Sequence, residues 1–164
     1  MKSYKLTHLK QLEATNPNTL VVSAGDLIGA SPLLSGLFHD EPTIEAANIF
    51  GLDFNAVGNH EFDEGAVELL RMQEGGCHPT DGCQDGDGFA GADFEFLAAN
   101  VKWHDTGDTL FPAYKVVHFK GVKVGLIGMT LEGTPTIVSP SGVAGLDFLD
   151  EADTVNALVP QLRA

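Results

Sequence analysis

Basic residues are scarce in this chain of 164 residues: 9 Lys and Arg stand against 23 Asp and Glu, a net charge of −14. Non-specific binding to a nucleic-acid polymer or an anionic membrane needs a basic face, so neither is an expected partner. Long apolar runs are missing too, none reaching the ~20 residues that span a bilayer. Met1 to Lys10 has no apolar stretch bounded by a cleavage-type site, so no signal peptide is expected there. Only 2 cysteines occur, Cys77 and Cys83, close together in a Gly- and Asp-rich stretch. Their short spacing suggests a local disulfide, worth about 2 kcal/mol through loop closure, and with it an oxidising compartment. Zinc held with His78 is the rival reading, though four ligands of the usual spacing are not present.

What is there suits one soluble domain: 43% hydrophobic residues in a chain this long can bury a substantial core. Leu6, Leu9 and Leu12 predict an amphipathic helix ending near Asn16-Pro17. Thr19 to Ala24 reads as a strand buried on both faces, and a looser segment around Ser31-Pro32 follows it. Pro42 to Phe50 reads as a helix closed by Gly51. Phe54 to Val57 is a second buried strand, and Glu64 to Met72 a second helix. Residues 75–91 are too rich in Gly, Asp and Pro for regular structure and read as an inserted surface loop. Phe94 to Val101 predicts a strand ending on Asn100. Tyr114 to Phe119 and Val122 to Met129 predict a hairpin, its second strand the more buried, and a last helix begins near Asp150. Strands alternating with helices imply an α/β fold with a mostly parallel sheet.

In such sheets ligands sit beyond the carboxyl ends of the strands. Two strands deliver polar residues there: Gly25-Asp26 after one, Gly58-Asn59-His60-Glu61 after the next. A carboxylate can bridge two divalent cations, and an Asn carbonyl oxygen is a neutral, hard ligand for one of them. A glycine before each polar residue lets the backbone turn off the strand without a Cβ in the way. The adjacent His60 can stabilise developing charge or protonate a leaving oxygen, with Asp63 holding its imidazole cationic. Plainer uses exist for each: Asp26 as a cap, Asn59 in a turn, His60 as a hydrogen-bonded strand-end histidine. Asn100 ends a strand at the same edge and is a candidate substrate neighbour, although turn formation explains it equally well. Asp81, Asp85 and Asp87 suggest a calcium loop, but the spacing is not that of an EF-hand. His39, His78 and His104 have no assigned place, and His118 reads as structural.

The segments GDLIGASP (Gly25 to Pro32) and GNHEFD (Gly58 to Asp63) resemble the second and third signature blocks of the calcineurin-like metallophosphoesterases. The Ser-Pro and Phe-Asp within them point to the 5′-nucleotidase and 2′,3′-cyclic phosphodiesterase branch. The Cys-containing loop, FLAANV (Phe96 to Val101) and VKVGLIGMT (Val122 to Thr130) resemble its bacterial secreted members. The resemblance implies a β-sandwich flanked by helices, of which residues 1–164 would form part of the four-layer αββα domain without the branch's C-terminal nucleotide-binding domain. It implies two divalent metal ions (Mn, Zn, Mg or Ca), with Asp26 bridging both and Asn59 ligating one. It also implies His60 as the catalytic histidine paired with Asp63, and Asn59 and His60 facing a nucleotide or other phosphoester substrate. An extracellular, periplasmic or cell-wall location follows from the same likeness.

The family's first block, Asp-x-His on an earlier strand, has no counterpart. No Asp or Glu precedes Glu13, and Leu6 stands where an Asp two residues before His8 would be. No histidine follows His118, so the late metal-binding histidines are missing as well. The expectation is a partial site: a nucleotide phosphoester hydrolase weakly active or inactive as given, or a non-catalytic remnant. An uncovered sheet edge would then favour self-association.

Overall fold

The computed structural model describes residues 4–163 except 85 and 87. Asp85 and Asp87, two of the acidic residues weighed as calcium ligands, therefore lie outside the described residues. The order is α1 (Tyr4–Thr15), β1 (Val22–Ser23), α2 (Leu33–Gly36), α3 (Glu41–Phe50), β2 (Phe54–Ala56), a 3-10 turn (His60–Phe62) and α4 (Ala66–Glu74). Then come β3 (Glu95–Leu97), β4 (Val101–Trp103), β5 (Tyr114–Phe119), β6 (Val122–Ile127), a 3-10 turn (Thr134–Thr136), β7 (Leu146–Phe148) and α5 (Glu151–Arg163).

β1, β2 and β3 form a parallel sheet in that order, with Val22 opposite Phe54 and Phe54 opposite Glu95. Parallel neighbours need a crossover between them; α3 fills the first and α4 the second. Their apolar faces, Ile44 and Ala47 from α3 and Leu69 and Met72 from α4, join Val57, Phe94, Phe96 and Ala98 in one buried core. Phe96 also stacks on Phe111, centroids 5.4 Å apart. Phe62 is completely buried and packs edge-on against Phe148 of β7 at 5.2 Å. Burying such a ring contributes roughly 1.5–3 kcal/mol, and here it plants the turn that carries His60.

Several expectations need correcting. The predicted α1 forms, but Leu12 is 61% exposed, so its apolar stripe is only partly covered. β1 is two residues long, stands at the sheet edge and leaves Val22 53% exposed, rather than being buried on both faces. The predicted strand over 94–101 is split into β3 and β4, and β4 pairs antiparallel with β7, an element the sequence reading missed. β6 is the more exposed strand of its hairpin, not the more buried, because its Val122 and Val124 face outward. The segment after Ser31-Pro32 contains the short α2.

The loop over 75–91 has no helix or strand among its described residues, as expected, but it is tied down. Cys77 and Cys83 are disulfide-bonded with Cα atoms 4.6 Å apart. Phe89 is buried, and the Arg71 guanidinium lies 5.2 Å from its ring centroid. Arg71 also donates to the Gly76 carbonyl at 2.7 Å.

Candidate functional site

The strand ends of β1 and β2 meet at two glycines. Gly25 has φ +97, and a Cβ there would lie 2.6 Å from the Gly58 nitrogen. A Cβ on Gly58 would run into the Asp26 carboxylate and lie 2.6 Å from the Asp26 nitrogen. The glycines therefore do more than permit turns: each clears the space the other's chain occupies. Asp26 takes a left-handed conformation at φ 54, tolerable for Asp and uncommon otherwise.

Holding this junction is Glu61, only 2% exposed. Its carboxylate accepts from the Asp26 and Gly58 nitrogens at 2.8 Å on one oxygen. The other oxygen accepts from the Leu27 nitrogen at 2.8 Å and from Asn55 Nδ2 at 3.2 Å. Burial pushes the Glu61 carboxyl above its ordinary range, and these donors pull the other way. Within GNHEFD, Glu61 stands between His60 and Phe62, and that placing beside an apolar residue is the one local hint of its burial.

With the junction set, Asp26 Oδ1 accepts a hydrogen bond from the His60 backbone N–H at 3.0 Å. His60 Nδ1 meets Asp63 Oδ2 at 2.9 Å. That bond, helped by the charges of Asp26 and Glu61, raises the His60 pKa above its usual value although the ring is 41% exposed. Asn59 is half-buried, and no hydrogen bond engages its amide among the described residues. The structure thus brings Asp26, Asn59, His60 and Asp63 to one corner. Asn100 is elsewhere employed: fully buried, its Nδ2 donates to the Thr130 and Leu149 carbonyls and its Oδ1 accepts from the Thr130 nitrogen. That is a strut between segments, and it leaves no donor for a substrate. Thr130 Oγ1 in turn donates to the Val57 carbonyl, bracing the end of β2.

His39 and His78, which no sequence motif includes, meet in the folded chain. Their rings stack at 3.8 Å between centroids, with 8° between planes. His39 Nδ1 meets Glu64 Oε2 at 2.7 Å, and its Nε2 meets Asp81 Oδ2 at 2.8 Å. Burial works against charge on His39, but these two bonds outweigh it and raise its pKa. A shallow pocket runs from His60, Asp63 and Gly29 to His39, Glu64 and Glu68.

Asp26 and Asn59 have the chemistry of hard oxygen donors. Among the described residues, though, neither group of three or more clustered His, Cys, Asp or Glu includes Asp26 or His60. Two donors fit only part of a two-metal centre, so no step is routed through one here.

The fold is an α/β domain whose parallel sheet carries a carboxylate and an amide–imidazole pair at its carboxyl edge. No family model matches the chain. It is 41% identical over 160 residues to Endonuclease YhcR of Bacillus subtilis, covering 98% of this chain and 13% of that protein. It is 30% identical over 152 residues to a 5′-nucleotidase of Vibrio cholerae, covering 93% of this chain and 24% of that protein. Its structure superposes on the calcineurin-like phosphoesterase YfkN of Bacillus subtilis with a TM-score of 0.70 and 26% identity, over 97% of this chain and 48% of that one. The chain thus spans a small part of these two curated relatives. It belongs to the calcineurin-like metallophosphoesterases, a metal-dependent family, on the 5′-nucleotidase branch.

Proposed function

We propose that this chain supplies one corner of a metal-dependent hydrolase of nucleotide phosphoesters, acting on 5′-nucleotides or 2′,3′-cyclic nucleotides. The observation that carries this reading is the 3.0 Å bond from the His60 N–H to the Asp26 carboxylate. It fixes the proposed metal-bridging oxygen against the residue proposed to meet the substrate. Asp26 and Asn59 are the metal donors this chain offers, and metal ions bound there would polarise the phosphoryl group and activate water. His60, held by Asp63, donates a proton from its ring to the departing nucleoside oxygen or neutralises charge on it. Asp63 is a positioning residue that sets the ring's tautomer and angle. The net charge of −14 favours a small nucleotide over a nucleic-acid polymer.

The missing donors support a second reading, a domain that folds without turnover. Hydrolysis of AMP and of bis(p-nitrophenyl) phosphate with added Mn²⁺ separates the two. We expect His60→Ala to lower the rate at least 100-fold; equal residual rates in both proteins would leave the non-catalytic reading. The disulfide supports an extracytoplasmic location. The edge position of β1 supports self-association, which a monomer at high concentration in sedimentation velocity would rule out.

A further inference from the structure

Beside the proposed phosphoester corner, side chains from three separate parts of the chain converge. His39 precedes α3, Glu64 lies two residues before α4 and Glu68 in its first turn, and His78 lies inside the disulfide loop. One ligand atom from each lies within 4.8 Å of the others. Imidazole and carboxylate together suit Zn²⁺ and its first-row neighbours.

Electrostatics favours a cation here. Four carboxylates gather here, Glu41, Glu64, Glu68 and Asp81, and the Arg71 guanidinium engages two of them. Arg71 binds Glu41 at 2.6 Å and Glu68 at 2.6 Å, and Glu64 and Asp81 are left to the two histidines. Arg71 also fixes the orientation of Glu68, while Asp81 accepts from the far nitrogen of His39. A carboxylate on the second ring nitrogen is the usual support for a metal-bound histidine.

We propose that His39, His78, Glu64 and Glu68 form a second divalent-cation site of the zinc type, distinct from the Asp26–Asn59 corner, which clips the disulfide loop onto α4. The ion takes the place of the proton now shared between His39 and Glu64, and that proton is released to solvent. Donors at Zn–N distances of 2.0–2.1 Å in a tetrahedral site sit about 3.3 Å apart. Glu64 must therefore withdraw from the 2.7 Å it now keeps to His39, which its 44% exposed side chain allows. Because the rings stack nearly parallel, the His78 ring has to swing out of the stack to aim a nitrogen at the same ion. Binding thus carries a visible signature, the loss of ring stacking.

The test uses the full chain, stripped with a chelator and titrated with Zn²⁺ by calorimetry. Co²⁺ absorption reports the geometry, and histidine ring NMR reports the stacking. At least one equivalent should bind to the unmodified protein, and Asp26→Asn should keep the equivalent that depends on His78. Affinity should fall at least tenfold in His78→Ala and in the solvent-facing Glu64→Gln, both with unchanged circular dichroism. The bound form should resist proteolysis between residues 75 and 91. Zn²⁺ affinity within twofold of the unmodified protein in both variants overturns the proposal. So does a single bound equivalent that is lost in Asp26→Asn and kept in His78→Ala, a result that would assign the ion to the phosphoester corner alone.

Discussion

Two histidine–carboxylate corners line one pocket and are built in opposite ways. Around His60 the positions are set by the backbone: two glycines in contact, a left-handed Asp26 and a buried Glu61 that gathers three backbone N–H groups. Around His39 they are set by side chains reaching from separate segments, one of them a disulfide loop. The first arrangement has little freedom to relax and suits groups that must be placed to a fraction of an ångström. The second can change partners, exchanging a proton for an ion. Their sensitivities to mutation should differ accordingly.

The largest effect is expected from Glu61→Ala. Removing the carboxylate strands the Asp26, Leu27 and Gly58 N–H groups and the Asn55 amide in a nearly dry site. Unsatisfied buried donors cost about 1–3 kcal/mol each, and partial relaxation brings the total to about 4 kcal/mol. For a chain of this size that is a fall of about 10 °C in melting temperature, read by circular dichroism. A fall under about 2 °C would show that the β1–β2 junction does not depend on this carboxylate, and the contrast between the corners would fail. Removing His78 from the other corner loses one stack and one exposed-side bond, with an expected cost under about 1 kcal/mol.

Gly58→Ala comes next. The added methyl group meets the Asp26 nitrogen and carboxylate and Glu61 Oε2, and the backbone must yield at a cost of about 2 kcal/mol. The displacement should reach His60 directly, because its N–H is tied to Asp26. Any phosphodiesterase rate should therefore fall further than stability alone explains. A variant with normal stability and an unaltered rate would mean the glycine contact serves neither.

The sequence made the first corner legible and the second illegible, for a physical reason. Gly25-Asp26 and Gly58-Asn59-His60 are contiguous, follow apolar runs and sit at strand ends, so local patterning carries most of the site. Glu61 escaped because its function is to accept backbone N–H groups from residues about 34 positions away, and no spacing rule reports that. His39 and His78 escaped because only the path of the loop, fixed by the disulfide and by Phe89 under Arg71, brings them together. The helices α3 and α4 were readable to within two residues, α3 from the Pro and Gly at its ends. β1 and β6 were misjudged because apolar composition reports what a strand can bury, not whether neighbours cover it: Val22 and Val124 are apolar and exposed. Asn100 was ambiguous for a similar reason. A polar residue ending a strand looks the same whether it faces a ligand or, as here, a pair of carbonyls.

The smallest expected effect calibrates both corners, because His104 and Asp147 form a histidine–carboxylate pair with no shelter. His104 Nδ1 lies 3.0 Å from Asp147 Oδ1 across the β4–β7 pairing, with 70% and 50% of the two side chains exposed. The hydrogen bond and charge of Asp147, aided by Asp105, raise the His104 pKa above 6.5. A raised value means the folded chain holds this proton more tightly than the unfolded one. The pair's contribution is then fully present below pH 6.5 and fades as pH rises through the folded-state value. Solvent screening keeps it small, and the melting temperature should scarcely change across that range. The titration itself should still be visible by NMR. The His104 ring midpoint should move back toward 6.5 in Asp147→Asn, while the His60 and His39 rings keep theirs. If the His104 midpoint stayed where it was, contact with a single carboxylate would not suffice to hold a histidine cationic in this protein, and the charge on His60 would have to come from Asp26 and Glu61 as much as from Asp63.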